Sequence, residues 1–222
     1  MKNYFDLTDR VAIVTGCSGG LGVQMAKALA SQGCKIVAIA RRQNLIDEVA
    51  AEIAEEFGVE TFAVKCDITD TENVEAMVDA VLEKFGRIDV LINNAGTGAV
   101  APAEDITDGQ FDHEMQVDLF GTFKVARAVA KKAMIPAQYG RIINIASMYG
   151  LVGNKIAGSA PYHAAKGGVV NLTRALASEW GKYGITVNAI CPGYFYTDLT
   201  RETLDSDFFQ ANARTMIPME RY

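Results

Sequence analysis

The chain has 222 residues, half of them hydrophobic, and a net charge of −6 from 21 basic and 27 acidic side chains. That length suits one domain with a substantial core, and that composition excludes a disordered chain. Basic residues are not clustered, which argues against nucleic acid; charges interrupt every apolar run before membrane-spanning length; and MKNYFDLTDR has no apolar leader region.

The first apolar run, VAIVT (11–15), is short and β-branched and predicts a buried strand. It enters TGCSGGLG (15–22), and a helical pattern follows from Leu21 to Gln32. Glycines between a strand and a helix allow a tight turn and let a pyrophosphate approach the backbone. The helix N-terminus adds free N–H groups and partial positive charge. Gly16, Ser18, Gly20, Leu21 and Gly22 are therefore expected to hold a dinucleotide. The other reading is a glycine-rich turn without a ligand, which its place at the head of a βαβ unit disfavours.

KIVAIA (35–40) is the second strand. An acid for the ribose hydroxyls is expected about 20 residues beyond the glycine turn. The chain instead has Ala40, Arg41 and Arg42, and the next acid, Asp47, falls inside a helix expected over 43–57. Two guanidinium groups there suit a 2′-phosphate, so NADP(H) is expected rather than NAD(H). Arginines simply solvated at a strand end are the competing reading.

TFAVKC (61–66) precedes a helix over 71–85, and DVLINNAG (89–96) leads through a polar loop to a helix over 109–133. RIINIAS (141–147) precedes a helix over 161–182, and TVNAICPG (186–193) opens a less regular last segment. Strands apolar on both sides, alternating with helices, predict a doubly wound parallel sheet in three α/β/α layers, with Rossmann strand order 3-2-1-4-5-6. One domain is expected over 1–222, with a substrate-loop segment at 194–222.

Cys17, Cys34, Cys66 and Cys191 form no CxxC pair, and His113 and His163 are the two histidines, so no metal site is expected. Scattered cysteines fit a reducing cytoplasm. Cys191 reads as core, His113 as a solvated side chain, and His163 as a packing or interface residue.

SAPYHAAKGG (159–168) places Tyr162 and Lys166 one helical turn apart among small residues. Residues i and i+4 share a helix face. A free phenol titrates near pH 10, and a neighbouring ammonium favours the phenolate, easing proton exchange with an alcohol or carbonyl oxygen. Taken alone, such a pair is equally well a solvated contact on an amphipathic helix.

Together these segments resemble the classical short-chain dehydrogenase/reductase family across nearly all of the chain. The TGxxxGxG motif is Thr15 to Gly22, NNAG is Asn93 to Gly96, YxxxK is Tyr162 with Lys166, and PGxxxT is Pro192, Gly193 and Thr197. The resemblance implies that Asp67 meets the adenine with Ile68 beside it, that Asn94 lines the ribose side, and that Thr197 holds the carboxamide or pyrophosphate. It implies catalysis by Ser147, Tyr162 and Lys166, with Lys166 also gripping the nicotinamide ribose. It implies a small carbonyl or alcohol substrate and a homo-oligomer, dimer or tetramer.

Two departures stand out. Where the family carries an asparagine whose carbonyl holds a relay water, QVDLFGTF has Asp118. Asp118 is either part of the proton relay or a helix residue paired with a nearby cation. Tyr162 follows Ser147 by 15 residues, about two more than is usual, so GLVGNKIAGSAP (150–161), with Lys155 its one charge, is expected to shape the substrate pocket. The family also continues past a segment like MIPMERY into a last strand, which is expected to be missing here. IASMYGLVGN and YHAAKGGVVNLTRALA are most similar to gluconate 5-dehydrogenase-type members. A 3-oxoacyl-carrier-protein reductase, a hydroxysteroid dehydrogenase and a non-catalytic NADP(H)-binding sensor remain open.

Overall fold

Alternation along β1 (Val11–Thr15) divides the core in two. Successive strand side chains point to opposite faces. Val11 and Ile13 pack with Val37, Ile39 and Leu91 on one side of the sheet. Ala12 and Val14 pack with Ile36, Ala38 and Ile92 on the other. A strand buried on both faces has to be sandwiched between helices.

The computed structural model describes residues 4–98, 100–154, 158–197 and 200–221, apart from the Arg214 side chain. After β1 come α1 (Gly20–Ala30), β2 (Lys35–Ala40), α2 (Gln43–Phe57), β3 (Thr61–Lys65), α3 (Thr71–Phe85) and β4 (Val90–Asn93). The strands form a six-stranded parallel sheet in the order β3-β2-β1-β4-β5-β6, where β5 is Gly140–Ile145 and β6 is Ile185–Ile190. This is the expected Rossmann-like order. In register, Ile13 stands between Val37 of β2 and Leu91 of β4. The chain moves outward in opposite senses from β1 and β4, opening a crevice at their carboxyl ends where ligands of such sheets bind.

The region expected as one helix over 109–133 is broken up. Thr107 caps α4 (Asp108–Glu114) in a reciprocal box with Gln110. The coil then widens into a π-helical stretch, Met115–Gly121, returns to α5 (Thr122–Val129), widens again at Ala130–Met134, and ends in α6 (Ile135–Ala137). π segments recur at functional sites because the extra residue re-aims side chains and backbone carbonyls. The long helix α7 (Ala160–Trp180) packs on β6, on the first π stretch and on the turn Met148–Gly150. The less regular end contains two short helices, α8 (Arg201–Leu204) and α9 (Asp207–Met216). Among the described residues, no helix is long and apolar enough to cross a membrane.

A buried polar ladder orients α7. The Asn93 amide donates to Asn144 Oδ1 at 2.9 Å, and the Asn144 amide donates to Thr173 Oγ1 at 2.9 Å. The Thr173 hydroxyl donates in turn to the Val169 carbonyl. Buried polar groups must be paired, so the ladder admits few placements of the helix against β4 and β5.

Candidate active site

The turn after β1 is fastened from the neighbouring strand. Thr15 Oγ1 accepts the backbone N–H groups of Asn94 and Ala95, both at 3.0 Å. The Asn94 amide donates back to the Thr15 and Gly16 carbonyls at 3.1 and 3.3 Å. Gly16 has φ +67°, and a Cβ there would stand 2.8 Å from the Ala95 backbone, so glycine is required on both counts. Helix α1 then starts with no side-chain cap and no acid in its first turn, so its leading N–H groups stay available to an anion.

A groove of about 610 Å³ runs along these carboxyl ends. Gly16, Ser18, Gly19, Gly20 and Leu21 form its floor; Arg41 and Arg42, Asp67 and Ile68, Asn94, and Thr197 form its walls. Arg42 donates to Ser18 Oγ at 3.2 Å, which brings a guanidinium to the glycine turn. Asp67 accepts from the Thr69 amide and hydroxyl at 2.9 and 2.7 Å. Burial alone would raise its carboxyl, but these bonds and the Arg41 charge hold it below the usual range.

Deeper in, Lys166 is buried, with 5% of its surface exposed, and Asp118 is fully buried. The ammonium donates to the Ile145 carbonyl at 3.0 Å and stands 2.9 Å from Asp118 Oδ1, an ion-pair contact without hydrogen-bond alignment. Asp118 Oδ2 accepts the Thr97 N–H at 3.3 Å. The carboxylate fits because Gly96 faces it: a Cβ at Gly96 would lie 2.4 Å from Oδ1. The Asp118 carbonyl accepts the Thr122 hydroxyl at 2.8 Å. The Lys166 ammonium lies 5.5 Å from the centre of the Tyr162 ring. Ser147 Oγ accepts the Tyr149 N–H at 3.1 Å, which leaves its own proton free to be donated.

Residues 10–207 match the family model for short chain dehydrogenases. The chain belongs to the short-chain dehydrogenase family. The family consists of oxidoreductases acting on CH–OH groups. Relatives include the gluconate 5-dehydrogenase of Gluconobacter oxydans, 37% identical over 93% of this chain and 79% of the relative. The 3-oxoacyl-[acyl-carrier-protein] reductase of a Synechocystis species is 38% identical over 97% of this chain and 84% of the relative. Among solved structures, a gluconate 5-dehydrogenase from Burkholderia cenocepacia in complex with NADP and tartrate superposes with a TM-score of 0.93 at 34% identity, covering 98% of this chain and 84% of that one. An NAD+-bound xylitol dehydrogenase gives 0.90 at 34% identity, covering 97% and 87%.

Within this short-chain dehydrogenase frame, most expected cofactor residues line the groove. Gly22 does not: it stands behind the turn, where a Cβ would lie 2.4 Å from the Gly16 carbonyl oxygen, so its part is packing. Gly19, which the sequence reading passed over, faces open space on the groove floor. His113, expected to be merely solvated, is exposed yet sits on the groove edge with Asp67 and Val117. One helical turn separates it from Val117, a spacing that could have signalled the shared face. Cys191, expected in the core, is only half-buried. His163 packs, as expected, but against the site: its ring stacks on Tyr149 and Nδ1 lies 2.8 Å from the Ser159 carbonyl. In the loop 150–161, the Gly158 carbonyl accepts the Ala101 N–H, while Lys155 lies outside the described residues.

Proposed function

We propose that this protein interconverts a secondary alcohol and a ketone with NADP(H), on a polyol or sugar acid of the gluconate type, with Tyr162 as general acid and base. The observation that carries the reading is the buried Lys166 ammonium 5.5 Å from the centre of the Tyr162 ring, on a helix packed against the turn that follows Ser147. When bound, the nicotinamide supplies or accepts the hydride.

The chain's own residues handle the proton and the oxygen. Tyr162 gives its phenolic proton to a carbonyl oxygen in reduction and takes the hydroxyl proton in oxidation. Ser147 donates a hydrogen bond to the same oxygen as its charge changes. Lys166, fixed by the Ile145 carbonyl and Asp118, has N–H groups left for the ribose and supplies positive charge near the phenol. Asp118 serves the site by holding Lys166.

The residues present suit the dinucleotide. An uncapped helix start and an open Gly19 would receive the pyrophosphate, and Asp67, Ile68 and Asn94 would hold the adenosine. Arg41 and Arg42 follow directly on β2, and the chain carries no acid after that strand until Asp47 in α2. The NADP in the Burkholderia gluconate 5-dehydrogenase structure supports this choice, and tartrate in the same crystal supports a hydroxy-acid substrate. The same reading takes 1–222 as one working unit with 194–222 as its substrate loop. It also takes the protein as a cytoplasmic homotetramer, consistent with its four free cysteines. Light scattering with sedimentation tests the assembly.

The test of function is a panel of polyols, sugar acids, 3-oxoacyl thioesters and steroids, followed by NADPH absorbance. Turnover confined to polyols or sugar acids is expected. Turnover of thioesters alone would move the assignment to the acyl reductases, and binding of NADPH without turnover of any member would favour a sensor.

A further inference from the structure

Tyr149 lies two residues past Ser147, and its amide, ring and hydroxyl meet three different parts of the molecule. The backbone N–H donates to Ser147 Oγ at 3.1 Å. The ring meets the Tyr162 ring edge-on, 6.4 Å between centroids, and stacks on His163 at 4.7 Å. The hydroxyl shares a 2.5 Å hydrogen bond with the Tyr194 hydroxyl. Tyr194 then stands edge-on to Phe209 at 4.6 Å. Phe209 is buried with Leu204 and Ala213 in a small separate cluster, and Tyr194 packs against it. The helices α8 and α9 are thus assembled around Tyr194, and Tyr194 is bonded to a residue that touches both Ser147 and Tyr162.

We infer that Tyr149 and Tyr194 are positioning residues whose hydroxyl bond ties the 201–216 helical segment to Ser147 and Tyr162, so that seating this segment and aligning those two groups are one event. The inference rests on the reading of Ser147 and Tyr162 given above. A tyrosine held at amide, ring and hydroxyl cannot change rotamer without breaking one of those contacts. Burial, and after it the bond to Tyr194, push the Tyr149 phenol above its ordinary value, so its hydroxyl keeps the proton that the bond needs near neutral pH. Neither tyrosine lines the dinucleotide groove, so the tie can fail without disturbing cofactor binding.

The test uses the full chain with Tyr149→Phe, Tyr194→Phe and the double variant, each keeping the rings. On the substrate the panel identifies, kcat/KM should fall about tenfold in each single variant, through both kcat and KM, with the NADPH dissociation constant unchanged. The double variant should cost no more than either single one, because all three break the same bond. Limited proteolysis of the 201–216 segment, without any substrate, should accelerate several-fold in each variant. Unchanged proteolysis, additive losses, or a lowered thermal midpoint with kcat and KM intact would each overturn the tie. If the panel shows no turnover at all, the hydride-transfer reading fails, and the proteolysis comparison still decides the inference.

Discussion

The ammonium of Lys166 is held 2.9 Å from the carboxylate of Asp118, and both side chains are almost completely shielded from water. A buried pair of this kind is costly to break from one side, because the surviving charge has neither water nor partner. Asp118→Ala should therefore destabilise the protein by about 3–5 kcal/mol in urea unfolding. Asp118→Asn keeps the shape and can still accept the Thr97 N–H, so it should cost less. A folded Asp118→Ala variant with unchanged stability would show that the carboxylate contributes little to holding Lys166.

Tyr162→Phe should keep the fold and NADPH affinity and lower turnover by about 10²–10⁴-fold, the usual loss for an acid–base group. Ser147→Ala should lower the rate at nearly unchanged NADPH affinity. Lys166→Ala should weaken the cofactor as well. Near-normal turnover in Tyr162→Phe would remove it from the chemistry.

Arg41→Ala should weaken NADPH by about 10–150-fold, the equivalent of ~1.5–3 kcal/mol for a hydrogen bond to a charged group, and leave NADH almost untouched. Dissociation constants from cofactor fluorescence measure both. An equal loss for the two cofactors would mean that Arg41 does not read the 2′-phosphate.

Acid should loosen the amino end of the sheet. Asp89 accepts from Arg10, Arg87 and the Val11 N–H, at 2.8, 2.6 and 3.0 Å for the closest contacts. Burial would raise its carboxyl, but the Arg87, Val11 and Arg10 bonds together hold it below the usual carboxylate range. Because the folded group titrates below its unfolded value near 4, its stabilisation is complete above about pH 4–5 and is lost as pH falls through the lower folded value. Asp89→Asn should cost about 1–3 kcal/mol at pH 7 and show a shallower decline in stability below pH 4. Parallel pH–stability curves for the two proteins would contradict this.

The polar ladder beneath α7 gives a further check. Asn144→Leu leaves the Asn93 amide and the Thr173 hydroxyl buried without this partner. It should cost about 1–3 kcal/mol by urea unfolding, the range for a buried polar group deprived of its partner. A loss below ~1 kcal/mol would mean that the ladder contributes little to holding α7.

Much of the molecule is legible in short stretches of sequence because its determinants are local. The alternation of VAIVT with a helical pattern sets strand and helix, and the Gly16 turn must be tight wherever a strand feeds a helix at that spacing. Four such motifs in order carry the family, and the spacing of Tyr162 and Lys166 puts both on one helix face. What they leave open lies in contacts between distant segments. A π-helical stretch lengthens the hydrogen-bonded ring by one residue, and the seven residues of Met115–Gly121 are too few for a hydrophobic pattern to show the change. Whether Asp118 meets a cation therefore depended on where α7 came to rest. The bond between Tyr149 and Tyr194 joins residues 45 apart in sequence, and nothing in either neighbourhood announces it. Sequence periodicity decides which faces are buried; the partner that each buried polar group finds is decided only once the layers pack.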